Sequence, residues 1–381
     1  MVGYAPAAFN APLAKEPVVA LPKLEIHPEI ARAETPPGWL YAEPEVLARQ
    51  RATLFARAWE PVVNTDPPRE PESASPFMFQ PGVLDEPLVL TRDAGGALRA
   101  LSNVCTHRAN LVAAEPCHAR ELRCRYHGRR FALDGTFRFM PEFDGAADFP
   151  RAADNLPAAQ CAEWGGFVFA ALPGAPDFAT VFRPVMDRLA FLDVARMVVD
   201  PEARRDYTVH ANWALYCENF LEGFHIPYVH PALHRELEFA QYRTELFPHG
   251  SLQIGAAREE ESAFALPPDH PDAAHRVAGY YFFVFPNLMF NFYPWGLSLN
   301  IVRPLDVETT VVSYYAFVAD PAKRDRGAGA GLHTVELEDE GVVESVQQGI
   351  RSRLYTRGRY SPTQERAVHH FHRHMAEALA G

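Results

Sequence analysis

The run from Asn212 to Pro231 places polar groups inside an otherwise apolar segment. Glu218, Glu222 and His225 are spaced i, i+4 and i+7, which on a continuous helix aligns them along one stripe among Phe220, Leu221 and Phe224. Carboxylates and an imidazole on a buried helix need partners. His230 falls off that stripe. Pro227, however, predicts a helix end near Ile226, and a chain turning there can bring His230 back towards His225. Two histidines from one segment, joined by a carboxylate from elsewhere, form the facial triad of a mononuclear non-haem Fe(II) site, which leaves coordination positions open. The competing reading is a buried helix whose histidines are satisfied by hydrogen bonds, and His-x4-His alone does not separate the two.

A second constellation lies upstream. Cys105-Thr-His107 is followed, after sixteen residues, by Cys124-Arg-Tyr-His127-Gly128. Two thiolates and two imidazoles can hold a structural zinc ion or a Rieske [2Fe–2S] cluster, in which the cysteines bind one iron and the histidines the other. Zinc fingers mostly pair Cys with Cys and His with His. Here each short motif offers one ligand of each type, which favours the cluster. Cys117 and its neighbour His118 lie between two complete pairs and read as spectators, while Cys161 and Cys217 read as packing cysteines.

Composition narrows the class. At 381 residues, 48% hydrophobic and 12% aromatic, the chain can build two cores. A net charge of -12 argues against non-specific nucleic-acid binding. No apolar run approaches the ~18 residues of a membrane span. The first residues lack a basic-then-apolar leader. Five scattered cysteines do not form a secreted disulfide framework. A soluble, cytoplasmic protein is expected, with no nucleic-acid or membrane partner.

The elements that must position these groups follow in order. Residues 1–38 are rich in Ala and Pro and predict an extended arm that wraps a neighbour or stays disordered. Residues 39–59 supply an amphipathic lead-in helix, with Val46, Leu47, Leu54, Phe55 and Trp59 at helical spacing. Residues 60–173 read as a small β domain, with hairpin turns at Asp93–Gly96 and Asp134–Gly135 and a closing strand at Trp164–Ala171. In residues 174–381, strands are expected at 280–285, 288–293, 297–302 and 309–318, their aromatic residues partly lining a pocket. A polar loop and then a helix with Val335, Val342, Val343, Val346 and Ile350 on its apolar side complete the pattern. Asp339 shares the stripe of Val343, Val346 and Ile350 and is expected to face inward; its acidic neighbours Glu336, Glu338 and Glu340 leave an exposed charge as the alternative.

Cys105-x-His107-Arg108 with Cys124-x-Tyr126-His127-Gly128, and Glu218-Asn219-Phe220…His225…His230-Pro231, together resemble the Rieske non-haem iron ring-hydroxylating oxygenase α subunits over residues 39–381. The resemblance implies an α+β chain, with an all-β Rieske domain followed by a helix-grip catalytic domain whose curved antiparallel sheet wraps a helix. It implies that Cys105, His107, Cys124 and His127 hold the cluster. It further implies that His225, His230 and Asp339 hold Fe(II), with Glu338 and Glu336 as the other carboxylate candidates. Glu222 and Asn219 carry over as catalytic residues. A flavin-containing reductase, directly or through a ferredoxin, would supply electrons, so that NAD(P)H acts only indirectly. O2 and a small organic substrate would meet at the iron. A homotrimer is implied, in which a carboxylate three residues before the first iron histidine bridges to a Rieske histidine of the next subunit.

That carboxylate is Glu222, where most of the family carries aspartate. Glutamate here, with the Ser352-Arg-x-Tyr…Gly358-Arg-Tyr tail, resembles the branch of carnitine, glycine-betaine and choline-type monooxygenases. Arg129 is a second departure, since an aromatic residue often follows Tyr-His-Gly; it is expected to retune the cluster or the reductase surface. The late histidines His369, His370 and His372 are expected to pack or lie on the surface. The leading expectation is hydroxylation or oxidative demethylation of a quaternary amine. The alternatives are an aromatic-ring dihydroxylating dioxygenase, a Rieske electron carrier without oxygenase activity, and a zinc-stabilised binding module.

Overall fold

The computed structural model describes residues 22–324 and 326–380. The first half is the expected β domain. Its main antiparallel sheet runs in the order Glu60–Pro61, Phe167–Ala171, Ala158–Trp164, Leu98–Ser102, Glu86–Arg92, Ser73–Phe79, Cys117–His118. A smaller sheet joins Glu121–Arg123, Arg130–Ala132 and Phe137–Phe139. The hairpins at 93–96 and 134–135 form as expected. The closing strand does not. Gly165 and Gly166 both adopt positive φ (59° and 82°) and turn the chain back on itself, so two strands replace one.

Part of the arm is corrected too. Residues 1–21 lie outside the described residues. Residues 22–38 dock on the chain's own C-terminal segment: Thr35 N–H donates to Gly358 O at 3.1 Å, and Arg359 Nε donates to Ala33 O at 3.0 Å. The lead-in region forms helices α1 (Trp39–Ala42) and α2 (Pro44–Thr53).

The second half is built on a curled antiparallel sheet, in the order Val198–Val209, Thr310–Val318, Gly296–Pro304, Leu288–Tyr293, Val277–Val284, Gly250–Ala256, Arg243–Phe247. The four aromatic-rich strands were visible in the sequence. The interior strand Gly250–Ala256 and the two edge strands were not; at the edges, charged residues face solvent and break the alternation on which strand reading depends.

Both faces of this sheet are covered. On one face, Phe282, Phe290 and Leu299 meet Phe182 of helix α3 (Phe178–Arg188) and Phe169 of the Rieske-side sheet. On the other, Phe283, Met289 and Val302 pack against helix α4 (Trp213–Phe220) and its neighbours. After α4 come the short helices α5 (Ile226–Val229) and α6 (Pro231–Glu236), then α7 (Leu332–Ile350) and α8 (Arg366–Ala380). Among the described residues no helix is long and apolar enough to cross a membrane.

Glu60 sits between the two halves, on the first strand of the Rieske-side sheet. It is fully buried, and burial pushes its carboxyl from 4.5 up to about 7, opposed by Arg303 across the junction. A folded value above the unfolded one means that the native state binds the proton more tightly. Stability therefore falls as pH rises from 4.5 towards 7, and the whole penalty is present above that range. Glu60→Gln is expected to stabilise the protein at pH 8 by at most about 3 kcal/mol, with no advantage left by pH 4. Thermal midpoints of variant and wild type at both pH values check this.

Candidate metal centres and substrate cavity

The two Cys–His motifs sit on loops of matching construction. In the first, Ala109 N–H donates to Cys105 O at 3.0 Å and Cys105 N–H donates to Asn110 O at 2.9 Å. In the second, Gly128 N–H donates to Cys124 O at 3.0 Å and Cys124 N–H donates to Arg129 O at 2.8 Å. Each loop closes through a residue at positive φ, Ala109 at 56° and Gly128 at 75°. Both cysteines are buried, and the His107 and His127 rings lie edge to face with centroids 4.7 Å apart.

Burial pushes the Cys105 thiol up. At Cys124 burial acts in the same direction but is outweighed by the N–H of Tyr126, the Cys105 thiol and the N–H of His127, so that thiol is held below its usual value. Asn110 Nδ2 adds a donor 3.6 Å from Cys124 Sγ. Burial, followed by the charges of His127, Arg129 and Arg108, keeps His107 below its usual value and so favours the neutral, ligating form. Two adjacent thiols with N–H donors on sulfur, beside two imidazoles at a surface, fit a Rieske cluster.

Arg129 corrects the reductase-surface half of its sequence expectation, because it is not at the surface. It is 1% exposed and lies over the rings of Phe137, Phe131 and Phe149 at 5.0–5.6 Å. Its Nη2 donates to Asp154 Oδ1 at 2.7 Å and to Asp154 O at 3.0 Å. Thr106, in the other loop, donates to the same Asp154 O at 2.8 Å. Asp154 thus ties both ligand loops together.

At the second centre, the single helical stripe is overturned. Helix α4 stops at Phe220, and Leu221 N–H closes the end on Cys217 O and Glu218 O. Gly223 lies against the Tyr242 ring, where a Cβ would come within 2.7 Å of Cε1. Pro227 sits second in a new helical turn instead of ending one, as its fixed φ and missing N–H allow within a first turn. The break separates the two glutamates. Glu218 faces α8 and meets His372 at 2.9 Å, while Glu222 turns to His225. His372 is itself fully buried, as one of the two expectations for the late histidines had it, and it also bonds Tyr360 at 2.7 Å.

His225, His230 and Asp339 converge, with one donor atom from each lying within 4.8 Å of the others. Asp339 Oδ1 is 3.0 Å from His230 Nε2 and 3.6 Å from His225 Nε2. Each ring's Nδ1 is held from outside, His225 by Glu222 Oε1 at 2.8 Å and His230 by Glu338 Oε2 at 2.7 Å. Asn219 Nδ2 donates to Asp339 Oδ1 at 2.6 Å. Such supports fix ring orientation and leave both Nε2 atoms for one metal. Burial would push His230 down, but Asp339 and Glu338 outweigh it and hold it above its usual value.

The three α7 carboxylates weighed as the iron ligand therefore divide. Asp339 joins the histidines and Glu338 orients His230. Glu336 goes elsewhere: buried, its Oε2 accepts from the Tyr216 hydroxyl at 2.6 Å and from the Tyr314 hydroxyl. Burial drives Glu336 up to about 7 against those two bonds. The stripe expected for α7 is also corrected. Val346 is exposed, and the buried positions are Glu336, Val343 and Gln347. Gln347 Oε1 accepts from Asn212 N–H at 2.9 Å and so pins α7 to the start of α4.

Beside these groups lies a cavity of about 110 Å³. Its floor is a row across the sheet, with Gln253, Tyr281, Asn291 and Ser298 directly paired strand to strand. Tyr242 and Tyr293 extend the aromatic wall, and Ile226, Leu233 and Leu237 close it. The lining expected from the aromatic strands falls to Tyr281 and Tyr293, while the floor residues Gln253, Asn291 and Ser298 were missed in the sequence.

Two sequence profiles match the chain, one for the Rieske [2Fe–2S] domain over residues 68–150 and one for the ring-hydroxylating α subunit catalytic domain over residues 197–381. The chain belongs to the Rieske non-haem iron oxygenase α-subunit family, and its cofactors are a Rieske [2Fe–2S] cluster and a mononuclear iron.

Among its relatives is choline monooxygenase of Arabidopsis thaliana, 31% identical over 369 residues, or 91% of this chain and 84% of that one. The carnitine monooxygenase oxygenase subunit of Escherichia coli K12 is 27% identical over 368 residues, covering 91% and 94%. Among solved structures, the quaternary ammonium Rieske monooxygenase CntA in complex with an inhibitor gives a TM-score of 0.72 at 23% identity, covering 93% and 99%. Naphthalene 1,2-dioxygenase with indole bound gives 0.65 at 17% identity, covering 91% and 92%. These likenesses bear out the expected fold.

Arg129→Met is expected to lower stability by about 3 kcal/mol, because it strands Asp154 and unties the two loops. Comparing its thermal midpoint with that of Asp154→Asn, which keeps an acceptor for Arg129, checks this.

Proposed function

We propose that this oxygenase hydroxylates or oxidatively demethylates a small quaternary ammonium compound, using O2 and electrons from a flavin-containing reductase, directly or through a ferredoxin. The observation that carries the substrate class is the charge of the cavity. Asp339 and Glu222 line it together with Tyr216, Tyr242, Tyr281, Tyr293 and Tyr314, and among the described lining residues there is no Lys or Arg. Tyrosine faces and carboxylates favour a cation; a substrate carboxylate finds no counterion on these walls. The names of the choline and carnitine relatives point the same way.

In this reading Cys105, Cys124, His107 and His127 hold the cluster, and His225, His230 and Asp339 hold the iron. The cluster supplies single electrons, and the iron supplies open positions at which O2 and substrate meet. Glu222 and Glu338 keep both imidazoles aimed, and Asn219 holds the ligand oxygen of Asp339. Ile226, Leu233 and Leu237 keep water from the reacting end of the substrate. Phe224 and Tyr228, exposed on the metal-bearing segment, together with the neighbouring Glu222, support the trimer reading, in which a Rieske domain of the next subunit docks there.

Anaerobically purified, Fe(II)-reconstituted protein is expected to contain about three irons and two acid-labile sulfides per chain, and His225→Ala about two irons with sulfide unchanged. Two irons in both proteins would reduce the chain to an electron carrier. In single turnover of chemically reduced enzyme with O2 and a panel of choline, carnitine and glycine betaine, choline, which carries no carboxylate, is the expected substrate, with formaldehyde or a hydroxylated amine as product. A cis-diol from an aromatic hydrocarbon, with none of the amines turned over, would replace this reading by ring dihydroxylation.

A further inference from the structure

Of the three α7 carboxylates weighed as the iron ligand, Glu336 is the one that neither converges with the histidines nor orients them. It is 1% exposed. Among the described residues no cation pairs with it, and its Oε1, also buried, has no hydrogen-bond partner. A carboxylate buried without a counterion is costly to keep, and an uncharged residue of similar shape would remove that cost. Its two partners explain where its influence goes. The Tyr216 and Tyr314 hydroxyls, 3.1 Å from each other, both donate to Glu336 Oε2, and both tyrosines line the cavity.

We infer that Glu336 determines specificity: from behind the Tyr216–Tyr314 wall, its carboxylate makes the cavity select a cationic substrate over a neutral one of the same shape. This rests on the quaternary-ammonium reading above. Two effects act in the same direction. A phenol donating its proton to a carboxylate carries more electron density on its ring, which strengthens the attraction of the ring face for a cation. The carboxylate, 1% exposed, also attracts the cation directly, and burial leaves its field less screened than that of a surface charge. A cation bound in the cavity in turn favours the ionised form of Glu336, so the two equilibria reinforce each other. No bond forms or breaks at Glu336. It is a positioning and electrostatic group, set apart from the iron ligands.

The test compares two probes on the iron-loaded, cluster-containing enzyme by titration calorimetry: choline, and its neutral carbon isostere 3,3-dimethylbutan-1-ol. Wild type is expected to bind choline the more tightly. Glu336→Gln keeps the shape and an acceptor for both tyrosines. It is expected to weaken choline about tenfold and to leave the neutral isostere within about twofold. Tyr314→Phe keeps the charge but uncouples one ring, so a smaller loss confined to choline is expected. Equal weakening of both probes in Glu336→Gln would reduce Glu336 to a structural role and overturn the inference, as would no change in either. If wild type itself prefers the neutral isostere, the quaternary-ammonium reading fails first and the inference falls with it. That outcome is read in wild type alone and is distinct from a failure in the variant.

Discussion

The rest of the catalytic half depends on bringing two imidazole Nε2 atoms to one aspartate oxygen. Asp339 Oδ1 lies 3.0 Å and 3.6 Å from the two rings, and each ring is held at its other nitrogen by a glutamate. Neither histidine can swing without breaking a short bond to a carboxylate. The arrangement gathers three carboxylates around two imidazoles, a charge excess that a bound cation would offset. A divalent iron answers part of that charge. The cavity beside it is walled by tyrosines, and on the proposed reading it takes a cationic substrate.

Geometry at this centre is fixed from a distance by two features. The first is the break after Phe220, which releases Glu222 from the α4 stripe and lets the chain present His225 and His230 from short turns. The second is the pin between Gln347 and Asn212, which sets the position of α7 relative to α4 and hence of Asp339 relative to the histidines. The sheet supplies the floor beneath. Because both of its faces are covered, alternate residues of one strand serve two ends: Phe282 and Phe290 join the packing against the Rieske half, while Tyr281 and Asn291 face the substrate cavity. Packing and function are thereby coupled along every central strand.

At the cluster, Arg129 occupies a position where an aromatic side chain would pack directly. Here the guanidinium is itself surrounded by three phenylalanine rings and bound to Asp154, so the aromatic filling is kept and a charge-assisted tie between the loops is added. The exchange is intelligible as packing, but only once the neighbouring rings are seen.

The sequence by itself pointed to the candidate donors. Within each of the pairs Cys105/His107, Cys124/His127 and His225/His230 the short separation along the chain keeps the two members near each other, whereas the meeting of one pair with another is a matter of packing. It also determined the α+β order and the aromatic strands, whose periodicity is local. It pointed to Asp339 only with the help of family resemblance, since Glu336 and Glu338 lie on neighbouring positions of the same helix and spacing does not rank them. The division of labour among those three carboxylates was decided by tertiary structure, as were the separation of Glu218 from Glu222, the burial of Arg129 and the cross-strand row from Gln253 to Ser298. Each of these depends on which distant side chain stands opposite: Tyr216 and Tyr314 for Glu336, His372 for Glu218, Asp154 for Arg129. Periodicity along the chain reports which face a residue occupies; what meets it on that face is set by packing between elements far apart in sequence.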